Sequence, residues 1–276
     1  MMATLGPLGV FDSGIGGLSI VREIRRQLPT ADILYVADQA HVPYGPRPLE
    51  QVRAFSEGIT RFLLDRGAPL IVVACNTASA AALVRLRGIF PAVPFVGMEP
   101  AVKPAAETSR TGVVGVLATP ATFQGELFAS VVERFAQGIR LVNRTAPGLV
   151  ECIEAGDLDG PEPRRLLETA LEPILAEGAD TLVLACTHYP FVIPLIEDIV
   201  GPGVRVIDPS PAIARQTERM LVSLGVPSKS HPGTLRMATS GNPARLAKMS
   251  SSLTGETARC EALRWQDGRL GLAEPA

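Results

Sequence analysis

The sequence predicts an α/β fold: two similar parallel-sheet α/β domains with the active site in the cleft between them. Three observations carry that expectation. Short runs rich in Val, Ile and Leu recur without polar alternation, as strands covered on both faces read. Longer amphipathic stretches separate them, as crossover helices do. The pattern then returns: "LGVFDSG" at 8–14 is echoed by "VGVLATP" at 114–120, and "LIVVAC" at 70–75 by "TLVLAC" at 181–186. Phe11 and Leu117 lie 106 residues apart and Cys75 and Cys186 lie 111 apart, which reads as a weak internal duplication.

The elements follow in order. "LGVF" (8–11) is a strand, "LSIVREIRRQL" a helix and "DILYVA" (32–37) a strand. "LEQVRAFSEGITRFLLDRG" is a helix closed by Gly67 as its C-cap. "LIVVA" (70–74) and "VPFVG" (93–97) continue the first half, and "TGVVGVLA" (111–118), "TLVLA" (181–185) and "VRVID" (204–208) supply the strands of the second. After a helix at "PSPAIARQTERMLVSLG" and a loop at "GVPSKSHPG" (225–233) come "TLRMA", a helix at "NPARLAKMSSSL" and a last strand near 259–264. These are expected to return to the first half, giving one domain of 1–99 plus 209–276 and a second of 100–208. "QDGRLGLAEPA" reads as a frayed tail.

Composition excludes several classes. A net charge of −2 with scattered arginines leaves no footprint for nucleic acid or an anionic membrane. No apolar run approaches the roughly 20 residues of a spanning helix, and the opening "MMATLGPLGVFDSG" has no basic stretch of an export signal. Four cysteines without zinc spacing and three histidines argue against a disulfide framework or a metal site. The expectation is a reduced, cytoplasmic protein.

Chemistry is expected at the carboxyl ends of the strands, where parallel α/β sheets bind ligands. Those ends carry Asp12-Ser13, Asp38, Cys75-Asn76-Thr77, Thr119 and Cys186-Thr187-His188. A lone Cys after an apolar run is ordinarily a small buried hydrophobe. Two in the same context, each followed by small polar residues, point instead to a pair of reactive thiols; Cys152 and Cys260 lack that context and read as structural. Each thiol is expected at a helix start, which would lower its pKa from about 8.5. His188 and Asp12 stand near as supporting acid/base groups, although Asp before a helix is also an ordinary N-cap. Two such groups on opposite faces of one carbon can take a proton from one side and return it to the other, inverting that carbon.

With those residues in view, "GVFDSGIGGLS", "PYG" at 43–45, "ACNTAS" at 74–79 and "ACTHYP" at 185–190 resemble, in order and spacing, the glutamate racemases of the cofactor-independent aspartate/glutamate racemase superfamily. The resemblance runs from about residue 8 to about 255. It implies interconversion of L- and D-glutamate by two bases, with no cofactor and no metal, and a supply of D-glutamate for peptidoglycan. By position it implies Cys75 and Cys186 as the bases, with Asp12, His188 and Glu154 in support. It places the substrate among Asp12, Ser13, Tyr44, Gly45, Asn76, Thr77, Thr119, Thr122, Thr187 and His188. Glu151 shares the helix with Glu154 and competes for its role. The sequence departs from the family at Ala118, at Ala185 and at Ala146-Pro147, changes that could narrow the pocket without removing a chemical group. The only lysines are Lys103, Lys229 and Lys248, all outside these motifs, which argues against a Schiff-base cofactor. Helices left over in each half suggest a homodimer.

Three rival readings remain. "GIGG" after a strand, with Asp38 ending the next one, partly matches a dinucleotide fingerprint, but Ser19 stands at its third glycine. A two-lobed protein that merely clasps an amino acid would leave the cysteines idle. A sister enzyme acting on aspartate would keep the mechanism and change the substrate.

Overall fold

In the computed structural model, which describes residues 6–227 and 230–273, the first apolar run is β1 (Leu8–Asp12), buried at every position. It is followed by α1 (Leu18–Gln27), β2 (Ile33–Ala37), α2 (Leu49–Leu64), β3 (Ile71–Val73), α3 (Asn76–Ile89), β4 (Phe95–Gly97) and α4 (Val102–Thr108). A second series comprises β5 (Val113–Ala118), α5 (Pro120–Gln124), α6 (Glu126–Phe135), β6 (Arg140–Arg144), α7 (Leu149–Ala155) and α8 (Pro161–Ala176). It continues with β7 (Thr181–Ala185), a 3-10 turn (Tyr189–Val192), α9 (Ile193–Val200) and β8 (Arg205–Ile207). Then come α10 (Ser210–Ser223), β9 (Leu235–Thr239), α11 (Pro243–Thr254), β10 (Arg259–Gln266) and β11 (Arg269–Leu272).

The strands form two sheets, β11-β10-β9-β2-β1-β3-β4 and β6-β5-β7-β8. Every pairing is parallel except β10 with β11. The run β2-β1-β3-β4 and the run β6-β5-β7-β8 are one pattern used twice: second, first, third, fourth. In such an order the chain switches direction between its first and third strands, and a crevice opens there at the carboxyl ends. The crevice falls between β1 and β3 in one sheet, beside Asp12 and Cys75. In the other it falls between β5 and β7, beside Thr119 and Cys186. The topology thus gives the reason for two Ala-Cys strand ends.

The apolar runs fold as strands because both faces of each sheet are covered. Val10, Tyr35 and Val72 of the first sheet and Leu182 and Leu184 of the second are fully buried and belong to one continuous cluster. Each such side chain contributes on the order of 1.5–3 kcal/mol. Helix α2 ends as its sequence predicts: Gly67, at φ 77°, lets its own N–H reach Leu64 O at 2.8 Å and that of Ala68 reach Leu63 O at 3.2 Å.

Strands β9 and β10 return to the first sheet, β9 pairing with β2. Two elements depart from the sequence reading. Strand β6 has no counterpart in it, because its residues are mostly part-exposed at the sheet edge. The expected frayed tail is an ordered hairpin: Leu263–Gln266 pair with Arg269–Leu272 around Asp267 (φ 48°) and Gly268 (φ 73°), the Asp-Gly turn that suits a two-residue hairpin. Residues 1–5, 228–229 of the expected loop and 274–276 of the expected tail lie outside the described residues.

Candidate active site

Twelve residues from both halves close around one narrow cavity of about 20 Å³, room for roughly one water molecule: Ser13, Pro43, Tyr44, Gly45, Cys75, Asn76, Thr77, Thr119, Val150, Cys186, Thr187 and His188. The expected residues therefore meet, apart from Asp12, Thr122 and Glu154, which stand directly behind this lining. Both cysteines are buried, at 4% and 5% exposure, and neither is in a disulfide.

Cys75 is the N-cap of α3, and its sulfur accepts the Ala78 N–H at 3.4 Å. Its thiol lies 4.0 Å from Ser13 Oγ. Burial pushes the Cys75 pKa well above its ordinary value of 9.0, and the Asp12 carboxylate pushes the same way. The expected lowering by the helix start is thus overruled, because backbone hydrogen bonds from Ala78 and Ser13 cannot offset desolvation and a neighbouring like charge. Asn76, beside it, is 2% exposed, and both its amide atoms lack a partner. A buried primary amide without partners is costly, and here it lines the cavity, where a bound polar group can satisfy it.

Cys186 differs. No α-helix starts on it; a 3-10 turn begins three residues later, so the expected helix start is absent on this side. Instead Cys186 Sγ lies 3.9 Å from His188 Nδ1, and His188 Nε2 lies 2.7 Å from Glu154 Oε1. Burial alone would lower the His188 pKa, yet its hydrogen bonds to Cys186 and Glu154 outweigh that and hold it well above 6.5. Burial likewise tends to raise Glu154, but hydrogen bonds from His188, Ile15 N–H and Gln39 bring it below 4.5. The charged pair faces the thiol from behind, with both imidazole N–H groups engaged. Glu151 is exposed and lines an outer recess next to the cavity, whereas Glu154 is buried against His188; the two glutamates of α7 are thereby separated.

Asp12 joins the two sides. One of its oxygens accepts the Gly14 N–H at 2.7 Å and the Ser13 hydroxyl at 3.3 Å, and the other accepts the Thr187 hydroxyl at 2.9 Å. Burial raises its pKa, against the pull of the His188 charge and these donors. It does not cap α1, whose N-cap is Gly17. The glycines of "GIGG" also receive a reason unrelated to phosphate. A Cβ at Gly14 would lie 1.8 Å from Glu154 Oε1, and one at Gly16 would lie 2.5 Å from His188 Nδ1.

On the opposite wall Thr77, Thr119 and Thr122 bring three hydroxyls together at 2.8–3.5 Å. Tyr44 lines the cavity, but its hydroxyl donates to Asp38 at 2.7 Å. Asp38 also receives Ser240 Oγ and Trp265 Nε1 at 2.7 Å, and His41 Nδ1 lies 2.9 Å away. The Asp38 carboxylate is thus saturated by His41 and Tyr44 of the loop it anchors and by Ser240 and Trp265 of the C-terminal return. A Cβ at Gly45 would lie 2.9 Å from Thr119 Cβ, which accounts for a glycine there. Sequence reasoning missed Gln39, whose amide reaches Glu154 Oε2 at 3.3 Å, and Arg245, which donates to the Glu154 carbonyl at 2.6 Å. Position next to the strand-end Asp38 was the one available signal for Gln39; Arg245 had none.

Residues 9–217 match the sequence pattern of the Asp/Glu/Hydantoin racemase family. A glutamate racemase of Pseudomonas paraeruginosa is 50% identical over 255 residues, 92% of this chain and 96% of that one. The crystal structure of a Bacillus anthracis glutamate racemase superposes with a TM-score of 0.87 at 29% identity, covering 96% of this chain and 98% of the other. That of the Escherichia coli enzyme with L-glutamate and an activator superposes at 0.80 with 31% identity, covering 93% and 98%.

Proposed function

The chain belongs to the Asp/Glu/Hydantoin racemase family, and from that premise we propose that its two buried thiols invert the α-carbon of glutamate. The substrate and reaction follow from the likeness to glutamate racemases over nine-tenths of the chain. The observation that carries the two-base reading is that Cys75 and Cys186, from equivalent strand ends of two sheets, line one small cavity.

One thiolate takes the α-proton from one face, and the opposite thiol delivers its own proton to the other face. The electron pair left on the α-carbon is shared with the substrate carboxylate. Ser13, Asn76, Thr77, Thr119, Thr122 and Thr187 are the groups we assign to hold the substrate and stabilise that charge. Asn76, with its buried amide atoms unpartnered, is the strongest of these assignments. His188 charges the Cys186 side. Among the described residues no cationic side chain lines the Cys75 side, so the substrate's own ammonium is the charge that can favour thiolate there. After each turnover the protonation states of the thiols are exchanged, and solvent protons reset them. The halves are expected to divide at 1–99 plus 209–276 and 100–208. A homodimer, a cytoplasmic location and supply of D-glutamate to cell-wall synthesis complete the proposal; no helix among the described residues is long and apolar enough to cross a membrane.

The test is L-glutamate in heavy water with the purified protein and no added cofactor. Loss of optical activity to a racemate, with deuterium at the α-carbon, is expected. Decay of L-aspartate in its place would move the substrate and keep the mechanism. Tight binding with no exchange would leave a binding protein.

A further inference from the structure

Glu154 belongs to α7, yet much of what fixes its carboxylate comes from the first sheet's loops. Ile15 N–H donates to Oε1 at 2.7 Å, the oxygen that also meets His188. The other oxygen, Oε2, receives the Gln39 amide at 3.3 Å. The orientation of that amide is not free. Thr239 Oγ1 accepts the Gly241 N–H at 2.9 Å, so the Thr239 hydroxyl proton is left to donate, and it does so to Gln39 Oε1 at 2.9 Å. The ionised Glu154 carboxylate only accepts, so the NH₂ faces it and Oε1 is left to accept the Thr239 hydroxyl proton. Gln39 is half-buried, so its truncation leaves no large core void.

We propose that Gln39 is a positioning residue for the Cys186 side of the reaction: held by Thr239, it fixes the Glu154 carboxylate and through it the His188 ring. This rests on the two-thiol reading above. The chain Thr239–Gln39–Glu154–His188–Cys186 runs from β9, near the end of the polypeptide, to the end of β7. The C-terminal return to the first sheet thereby takes part in setting a base carried by the second.

The test compares wild type with Gln39→Ala, Gln39→Glu and Thr239→Val, using L- and D-glutamate with hydrogen or deuterium at the α-carbon. Enantiomers have equal free energy, so kcat/KM stays equal in the two directions for every variant; the asymmetry appears in the isotope effects. Gln39→Ala is expected to lower kcat/KM about five- to tenfold, the equivalent of one ordinary hydrogen bond. Proton transfer at Cys186 then limits the rate more strongly. The substrate isotope effect should rise for the enantiomer that Cys186 deprotonates and fall toward one for the other. Gln39→Glu, which sets a carboxylate against Glu154, should give the same asymmetry with a larger loss. Thr239→Val, which keeps the bulk and removes the donor that holds Gln39 Oε1, should give it with a smaller one. Unchanged kcat/KM, or a loss with equal isotope effects for both enantiomers, overturns the role of Gln39. A wild-type protein that exchanges the α-proton of neither glutamate nor aspartate overturns the two-thiol reading, and the role of Gln39 with it.

Discussion

At the end of β3, Cys75 caps a helix, has the Asp12 carboxylate for an electrostatic neighbour, and titrates well above its ordinary value because of burial. At the end of β7, Cys186 caps no helix and faces His188, held charged by Glu154. The backbones agree, since both strands are third in the same order and both end in Ala-Cys. The side chains around the two thiols do not. The duplicated scaffold fixes where each thiol stands, while its charge environment is set by other residues: Asp12, 63 positions before Cys75, and for Cys186 the near neighbour His188 with Glu154, 34 positions before that histidine. One thiol has a charged imidazole beside it; the other has a carboxylate for its charged neighbour.

The sharpest way to break this comparison is to remove each thiol in turn. Cys75→Ser and Cys186→Ser are each expected to lower racemisation about 10³-fold or more in both directions, whereas Cys152→Ser and Cys260→Ser should not. Near-normal turnover in either of the first two would show that the two sides are not partners.

His188→Asn and Glu154→Gln test the charged side, with an expected loss on the order of 10²-fold. Glu154→Gln also has a stability signature. His188, folded above its ordinary 6.5, contributes in full below about pH 6.5 and loses that contribution as pH rises through its folded value. Glu154, folded below its ordinary 4.5, contributes above about pH 4.5 and loses it as pH falls through its folded value. The pair therefore stabilises most between those limits. Melting curves should show the Glu154→Gln penalty, roughly 5–10 °C in Tm, largest near pH 5–6 and shrinking at alkaline pH. A penalty that grows with pH would mean that His188 is not charged in the folded protein.

Asp12→Asn sharpens the contrast from the other side. It removes the like charge that helps raise Cys75, so the rising limb of the rate against pH should move to lower pH. The maximal rate should fall about tenfold, because Thr187 and Ser13 lose an anionic acceptor. A limb that stays in place would remove Asp12 from the electrostatics of Cys75. The smallest effect is expected at Trp265→Phe. The indole N–H is one of the groups saturating Asp38, which holds the loop carrying Tyr44 and Gly45. KM should rise about threefold with kcat nearly unchanged; equal changes in both would place Trp265 in the chemistry itself.

The sequence made the buried strands and the paired cysteines legible because a strand covered on both faces must be uniformly apolar, and because Cys is too rare here to recur by accident. It made Glu154 legible through resemblance alone; geometry then separated it from Glu151. The misses share a cause. Strand β6, "RLVNR", lies at a sheet edge, so no burial constraint shapes it. The hairpin after Trp265 did carry a local signal, Asp267-Gly268, which its polar flanks "Q" and "R" disguised as a tail. Gln39 and Arg245 act on Glu154 across 115 and 91 positions, and a contact of that span has no local pattern to announce it.

The Gly14–Gly16 turn bears on timing. It is pressed against Glu154 and His188 so closely that no Cβ would fit, and the Ile15–Glu154 and Asp12–Thr187 hydrogen bonds flank it. A cavity this enclosed must widen to admit glutamate, and any parting of its two walls stretches those same bonds. Opening would leave the His188–Glu154 pair joined but strip Glu154 of its Ile15 and Gln39 partners, so an opened enzyme would hold its imidazole less firmly than a closed one.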